Sequence, residues 1–169
     1  MILKTSYRRD SAKALTEYIS RLRNMEVRDR DGNVMSKEEI DHFIEKSKSN
    51  NFEREFIISP DNHDIAVDPM SEYTRKGMDQ WLEEKERSSV DYIYAIHYDK
   101  EDHPHAHVAM TGRVKDLKMH EADLLHAQDN VFAKAFGEPE LHKGLYRDNP
   151  LRENREKIQE HEMELVMGL

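Results

Sequence analysis

The sequence contains no cysteine. Disulfides are therefore excluded, and so is any metal site built on thiolates. No stretch approaches the ~18 consecutive apolar residues that suggest a membrane-spanning helix. The opening Met-Ile-Leu-Lys-Thr lacks the apolar core of a signal peptide. These absences point to a soluble, cytoplasmic protein. There is no internal repeat and no low-complexity linker, and 169 residues fit one domain. Basic residues are the minority, 26 Lys and Arg against 35 Asp and Glu, for a net charge of −9 at pH 7. Such a total speaks against nucleic acid, because neutralising phosphates takes clustered Lys and Arg.

The charge is unevenly placed. Residues 1–30 hold Lys4, Arg8, Arg9, Lys13, Arg21, Arg23, Arg28 and Arg30 against Asp10, Glu17, Glu26 and Asp29, a local excess of +4. A basic end on an acidic chain is a candidate anion-facing surface.

Periodicity predicts the elements. Residues 2–6 read as a strand. Asp10 caps a helix whose apolar stripe runs through Ala14, Leu15, Tyr18, Ile19, Leu22 and Met25. Asp31-Gly32 marks a hairpin turn between Val27 and Met35. Ser36-Lys37-Glu38-Glu39 is a capping box ahead of Ile40, Phe43 and Ile44. Residues 53–59 form a strand stopped by Pro60. Asp68-Pro69 opens a long helix to about Ser88. Strands at 90–98 and 104–111 follow, then a helix from about Glu121 to Phe136 ended by Gly137, and a last helix from Asn149-Pro150 to about Met167. The order predicts an α+β domain with helices on one side of an antiparallel sheet.

Four of the ten histidines fall between residues 97 and 107. Alternate strand residues share a face, so His105 and His107 project together. A short loop at 99–103 sets His97 roughly opposite His105, and cross-strand Cβ atoms lie only ~5 Å apart. His97, His105 and His107 therefore converge on one point. Ala95 and Ala109 share their face and are small, which leaves room. Tyr92, Tyr94, Ile96, Val108 and Met110 form the opposite, core-directed face. Three imidazoles suit a divalent transition metal with coordination positions left open for chemistry. Asp99 and Asp102 could orient imidazole N–H groups. The zinc-protease His-Glu-X-X-His and the deaminase Pro-Cys-X-X-Cys are both missing.

His97-X-Asp99 followed by His103-Pro104-His105-Ala106-His107-Val108 resembles the third motif of the relaxases, the plasmid-mobilisation branch of the HUH endonuclease superfamily. Ala14-Leu15-Thr16-Glu17-Tyr18-Ile19-Ser20-Arg21 is similar to the first motif of that family, and Phe56-Ile57-Ile58-Ser59-Pro60 to its second. The three occur in family order over residues 10–112. The resemblance implies a ferredoxin-like α+β HUH domain over 1–169, with a motif-bearing core to 137, a helical extension over 138–169, and the histidines on a central strand. It implies metal-dependent nicking of single-stranded plasmid DNA at an origin of transfer through a 5′-phosphotyrosine. Tyr18 would be the nucleophile. His97, His105 and His107 would bind manganese or magnesium, with zinc, nickel or cobalt as other options. Asp99 would orient a ligand or accept a proton. Lys13, Arg21, Arg23 and Ser59 would contact DNA, and accessory relaxosome proteins are implied partners. Tyr7 and Tyr146 remain rival nucleophiles. A tyrosine after the histidines, as at Tyr146, would suit a rolling-circle replication initiator or transposase. A non-catalytic DNA- or metal-binding module is the remaining alternative.

Overall fold

A computed structural model describes residues 1–8, 25–50, 53–98 and 103–138. The expected helices at 10–25 and 149–167 fall almost wholly outside these residues.

Five strands, β1 (Ile2–Arg8), β2 (Val27–Asp29), β3 (Glu53–Ser59), β4 (Asp91–Tyr98) and β5 (Pro104–Thr111), form one antiparallel sheet in the order β1-β3-β5-β4-β2. The fold is α+β, and β5 is its central strand. The strands β3 and β4 run parallel, with β5 between them. The helix that joins them, α2 (Val67–Glu84), makes this a split β-α-β unit.

Local chemistry explains most boundaries. At the β2 turn, the Asp29 carboxylate accepts from the Asp31 and Asn33 amides, and Gly32 takes φ +87°, which glycine adopts without penalty. The capping box opens α1 (Lys37–Lys48): Ser36 Oγ accepts from the Glu39 amide, and Glu39 accepts from the Ser36 amide. The helix α2 starts at Val67, so Asp68 lies inside the first turn and does not cap it. Pro69 is tolerated there because first-turn amides have no helical acceptor. It also stops at Glu84, short of Ser88. Glu86 turns left-handed at φ 50°, and the Arg87 guanidinium folds back over the Trp81 ring, 4.0 Å from its centroid, and donates to the Trp81 carbonyl.

Helices cover both faces of the sheet, which corrects the one-sided arrangement expected from element order. Tyr92, Tyr94, Val108 and Met110 pack with Phe56 against Trp81 and Met78 of α2 and against Phe132. Phe56 lies edge-on to Trp81 at 5.0 Å and to Phe132 at 5.7 Å. The other face carries Ile93, Ala95 and Ala109, closed by Ile40, Phe43 and Ile44 of α1.

A short helix, α3 (Val114–Leu117), was not legible in the sequence. It gives Arg54 a buried acceptor: Arg54 Nε donates to Leu117 O and Nη1 to Thr5 Oγ1, both at 2.7 Å. Burial lowers this guanidinium to about 9. The expected helix from Glu121 is interrupted: α4 (Glu121–His126), a π-helical turn (Ala127–Phe132) and α5 (Ala133–Ala135) run in succession. Gln128 in the π turn accepts from the Leu3 amide of the sheet edge. Gly137 at φ 66° ends the run, as expected.

Candidate metal centre

The β4–β5 register sets His97 opposite His105 and Ala95 opposite His107. All three imidazoles lie on one face of the sheet. Their ring centroids are 4.7 Å (97–105), 4.8 Å (105–107) and 5.9 Å (97–107) apart. One nitrogen from each falls within 4.8 Å of the others, and all three side chains are half-buried. Two nitrogens sharing an ion at ~2.0–2.1 Å stand at most about 4.2 Å apart, so binding would draw the rings closer together. The cluster can hold a metal ion. Ala106 and Val108, the alternate residues of β5, are fully buried in the opposite core and fix which way the histidines point.

Hydrogen bonding selects the ligand atom of His105. His105 Nδ1 lies 3.0 Å from the His103 carbonyl oxygen. A carbonyl only accepts, so Nδ1 carries the proton and Nε2 presents its lone pair. His97 Nδ1, 2.9 Å from His105 Nε2, is then the donor of that pair. An ion between the two rings requires the other His97 tautomer, with the proton on Nε2. The orienting group expected from a carboxylate is thus supplied, for His105, by the backbone of His103. Asp99 and Asp102 lie outside the described residues.

The room expected beside the histidines is occupied. Ala95 and Ala109 are buried beneath α1, and their small side chains let that helix approach the sheet. His97, His105 and His107, farther along the same face, are half-buried where the two alanines are buried.

Ser59 lies on the histidine face. Its neighbour on that face, Ile57, pairs with His107, and Ser59 lies one residue beyond the Ile58–Ala106 pair, toward His105. Lys4 pairs with Ile57, so it shares the face, two strand spacings or roughly 10 Å from His107. Two other described basic residues of the N-terminal stretch do not share that face. Arg28 pairs with core-facing Tyr94, and its guanidinium is held by Glu26 and the Gly32 carbonyl. Arg30 lies over the Tyr92 ring, 5.8 Å from the centroid. Both are directed away from the histidines. Lys13, Arg21 and Arg23 lie outside the described residues, as does Tyr18.

Five of the seven tyrosines are described, and none of them faces the cluster. Tyr7 packs on the opposite core with the Arg54 guanidinium 5.7 Å from its ring. Tyr92 and Tyr94 are buried there; Tyr94 Oη is 2.6 Å from Ser71 Oγ. Burial pushes both phenols up. Tyr73 packs edge-on to Phe136. Tyr98 Oη donates to the Ile65 carbonyl at 2.7 Å. Tyr146 lies outside the described residues.

Sequence reasoning missed two neighbours of the cluster. His63, forty residues upstream, stacks on His103 with centroids 4.0 Å apart. Tyr98, beside His97, ties β4 to the loop that follows β3. No pattern marks His63, whereas Tyr98 could have been suspected from its place next to a ligand.

Among the described residues no helix is long and apolar enough to cross a membrane. Comparison with protein-family models, curated proteins and solved structures finds no match to this chain.

Proposed function

We propose that the chain is a metal-dependent, relaxase-like HUH endonuclease that nicks single-stranded DNA and transfers the cut strand through a tyrosine. The observation that carries the reading is the placement of His105-Ala106-His107 on the central strand, with His97 opposite on its neighbour, converging on one face of a five-stranded antiparallel sheet. Tyr18 is the proposed nucleophile, with Tyr146 as its rival.

A tyrosine hydroxyl with an ordinary pKa near ~10 attacks phosphorus poorly until its proton is removed. Tyr18 would lose that proton to a base, for which Asp99 is the candidate. Its oxygen would bond to phosphorus as the P–O3′ bond breaks, and the departing 3′ oxygen would gain a proton. The phosphotyrosine keeps the bond energy, so rejoining is the reversal and needs no nucleotide cofactor. A divalent ion held by His97, His105 and His107, manganese or magnesium by the resemblance, would supply polarisation of the phosphate and charge stabilisation in the transition state. Ser59 would contact the strand beside the cluster, and Lys13, Arg21 and Arg23 would hold phosphates near Tyr18. Single-stranded plasmid DNA at an origin of transfer is the proposed substrate, with relaxosome proteins as partners.

Incubation with single-stranded origin-containing plasmid libraries and Mn²⁺, followed by denaturing electrophoresis, tests this. The expected result is a denaturation-resistant protein–DNA band that Tyr18→Phe abolishes. Loss with Tyr146→Phe alone would shift the reading to a replication initiator or transposase. No band with any metal would leave a binding module.

A further inference from the structure

The loop between β3 and α2, residues 60–66, touches β4 and the residue that leads into β5. On one side Tyr98 Oη, next to His97, donates to the Ile65 carbonyl at 2.7 Å. On the other, His63 stacks on His103, whose carbonyl accepts from His105 Nδ1 at 3.0 Å. The loop is itself anchored. The Ile65 side chain packs against the main core. The Asp64 amide donates to Asn62 Oδ1 at 3.0 Å, and the Asp61 amide to Glu138 Oε1 at 2.6 Å.

We infer that residues 60–66 form a brace that holds the histidine cluster together for metal binding, with Tyr98 and His63 as positioning residues. The physical case is one of preorganisation. Histidine ligands near the turn end of a hairpin lose rotamer and backbone freedom when they bind an ion. A partner that fixes them beforehand moves that cost into folding. The Tyr98 contact holds the strand end beside His97. The His63 stack holds the peptide whose carbonyl sets the His105 tautomer. Groups that orient metal ligands typically contribute ~10–100-fold in affinity. The inference rests on the metal-binding reading and is independent of whether DNA is the substrate.

The test is titration of the metal-free protein with Co²⁺, read by calorimetry and by the visible absorption of the bound ion. Tyr98→Phe and His63→Ala should each weaken binding several-fold and alter the cobalt spectrum. The double variant should lose on the order of 10-fold or more. His63→Phe, which keeps a flat ring against His103, should restore both affinity and spectrum. Far-UV circular dichroism should match wild type throughout, which separates positioning from folding. A double variant with wild-type affinity and spectrum overturns the brace alone, as does a His63→Phe variant no better than His63→Ala. A wild-type protein that takes up no cobalt overturns the metal reading, and the brace with it.

Discussion

His97 and His105 stand opposite each other on neighbouring antiparallel strands, with Nδ1 of one 2.9 Å from Nε2 of the other. Strand pairing alone produces this approach, since directly opposed side chains on one face leave the backbone only ~5 Å apart. His107 joins them because it lies two residues along β5 and shares that face.

Thermal stability should therefore respond to transition metals through these residues. An ion at 100 times its dissociation constant stabilises the folded state by about 2.7 kcal/mol. For a chain of this size that corresponds to roughly 5–10 °C in Tm. Melting curves with and without Mn²⁺, Co²⁺ or Zn²⁺ should show the rise in wild type and none in His105→Ala or His107→Ala. A full rise in either variant would place the ion elsewhere.

The two alanines on the histidine face should not tolerate enlargement. Ala95 and Ala109 are 0% and 1% exposed beneath α1, against Ile40, Phe43 and Ile44. Leucine at either position overpacks a closed interface and should cost about 1–3 kcal/mol. Urea unfolding measures this. A neutral effect would mean that α1 does not seat on that part of the sheet.

The alanines also show how far the sequence could be read. Period-two alternation revealed which face each β4 and β5 residue takes, because strand geometry is local. It gave the cross-strand pairing of His97 with His105 for the same reason. What covers Ala95 and Ala109 is set by α1, and an amphipathic stripe says that a helix buries one face without saying against which side of the sheet. The Ser36–Glu39 capping box was legible because both partners lie within four residues. The Tyr98–Ile65 bond and the His63–His103 stack span 33 and 40 residues, and no local pattern encodes either. The π turn at Ala127–Phe132 was hidden likewise, since it serves distant partners such as the Leu3 amide.

Gly77 should be irreplaceable even by alanine. A Cβ there would lie 2.4 Å from Phe132 Cδ1 and 2.6 Å from Cε1, on a ring that is itself wedged against Phe56. The ring cannot withdraw without opening the core between α2 and the π turn. Gly77→Ala should lower stability by about 1–3 kcal/mol despite the better helix propensity of alanine. Chemical denaturation of the variant checks it, and a stabilised variant would mean that Phe132 is free to move.

Acid should weaken the fold partly through Asp116. Burial alone would push this carboxyl up. The hydrogen bonds from the Ser89 hydroxyl and amide outweigh that, aided by Lys115 and Arg113, and the net result is a carboxyl below the usual 3.8. A folded-state value below the unfolded one means that the carboxylate adds stability above about pH 4. That contribution fades as pH falls through the lower, folded value. Asp116→Asn removes the titration. Its stability should thus be lower than wild type near neutral pH, and the gap should narrow as pH drops below 4. Asp123, held down by the His120 amide and Lys85 against its own burial, gives both proteins a common acid slope, so the difference between them is the informative quantity. Urea midpoints measured from pH 7 to pH 3 supply it, and a gap that stays constant across that range would sink the assignment.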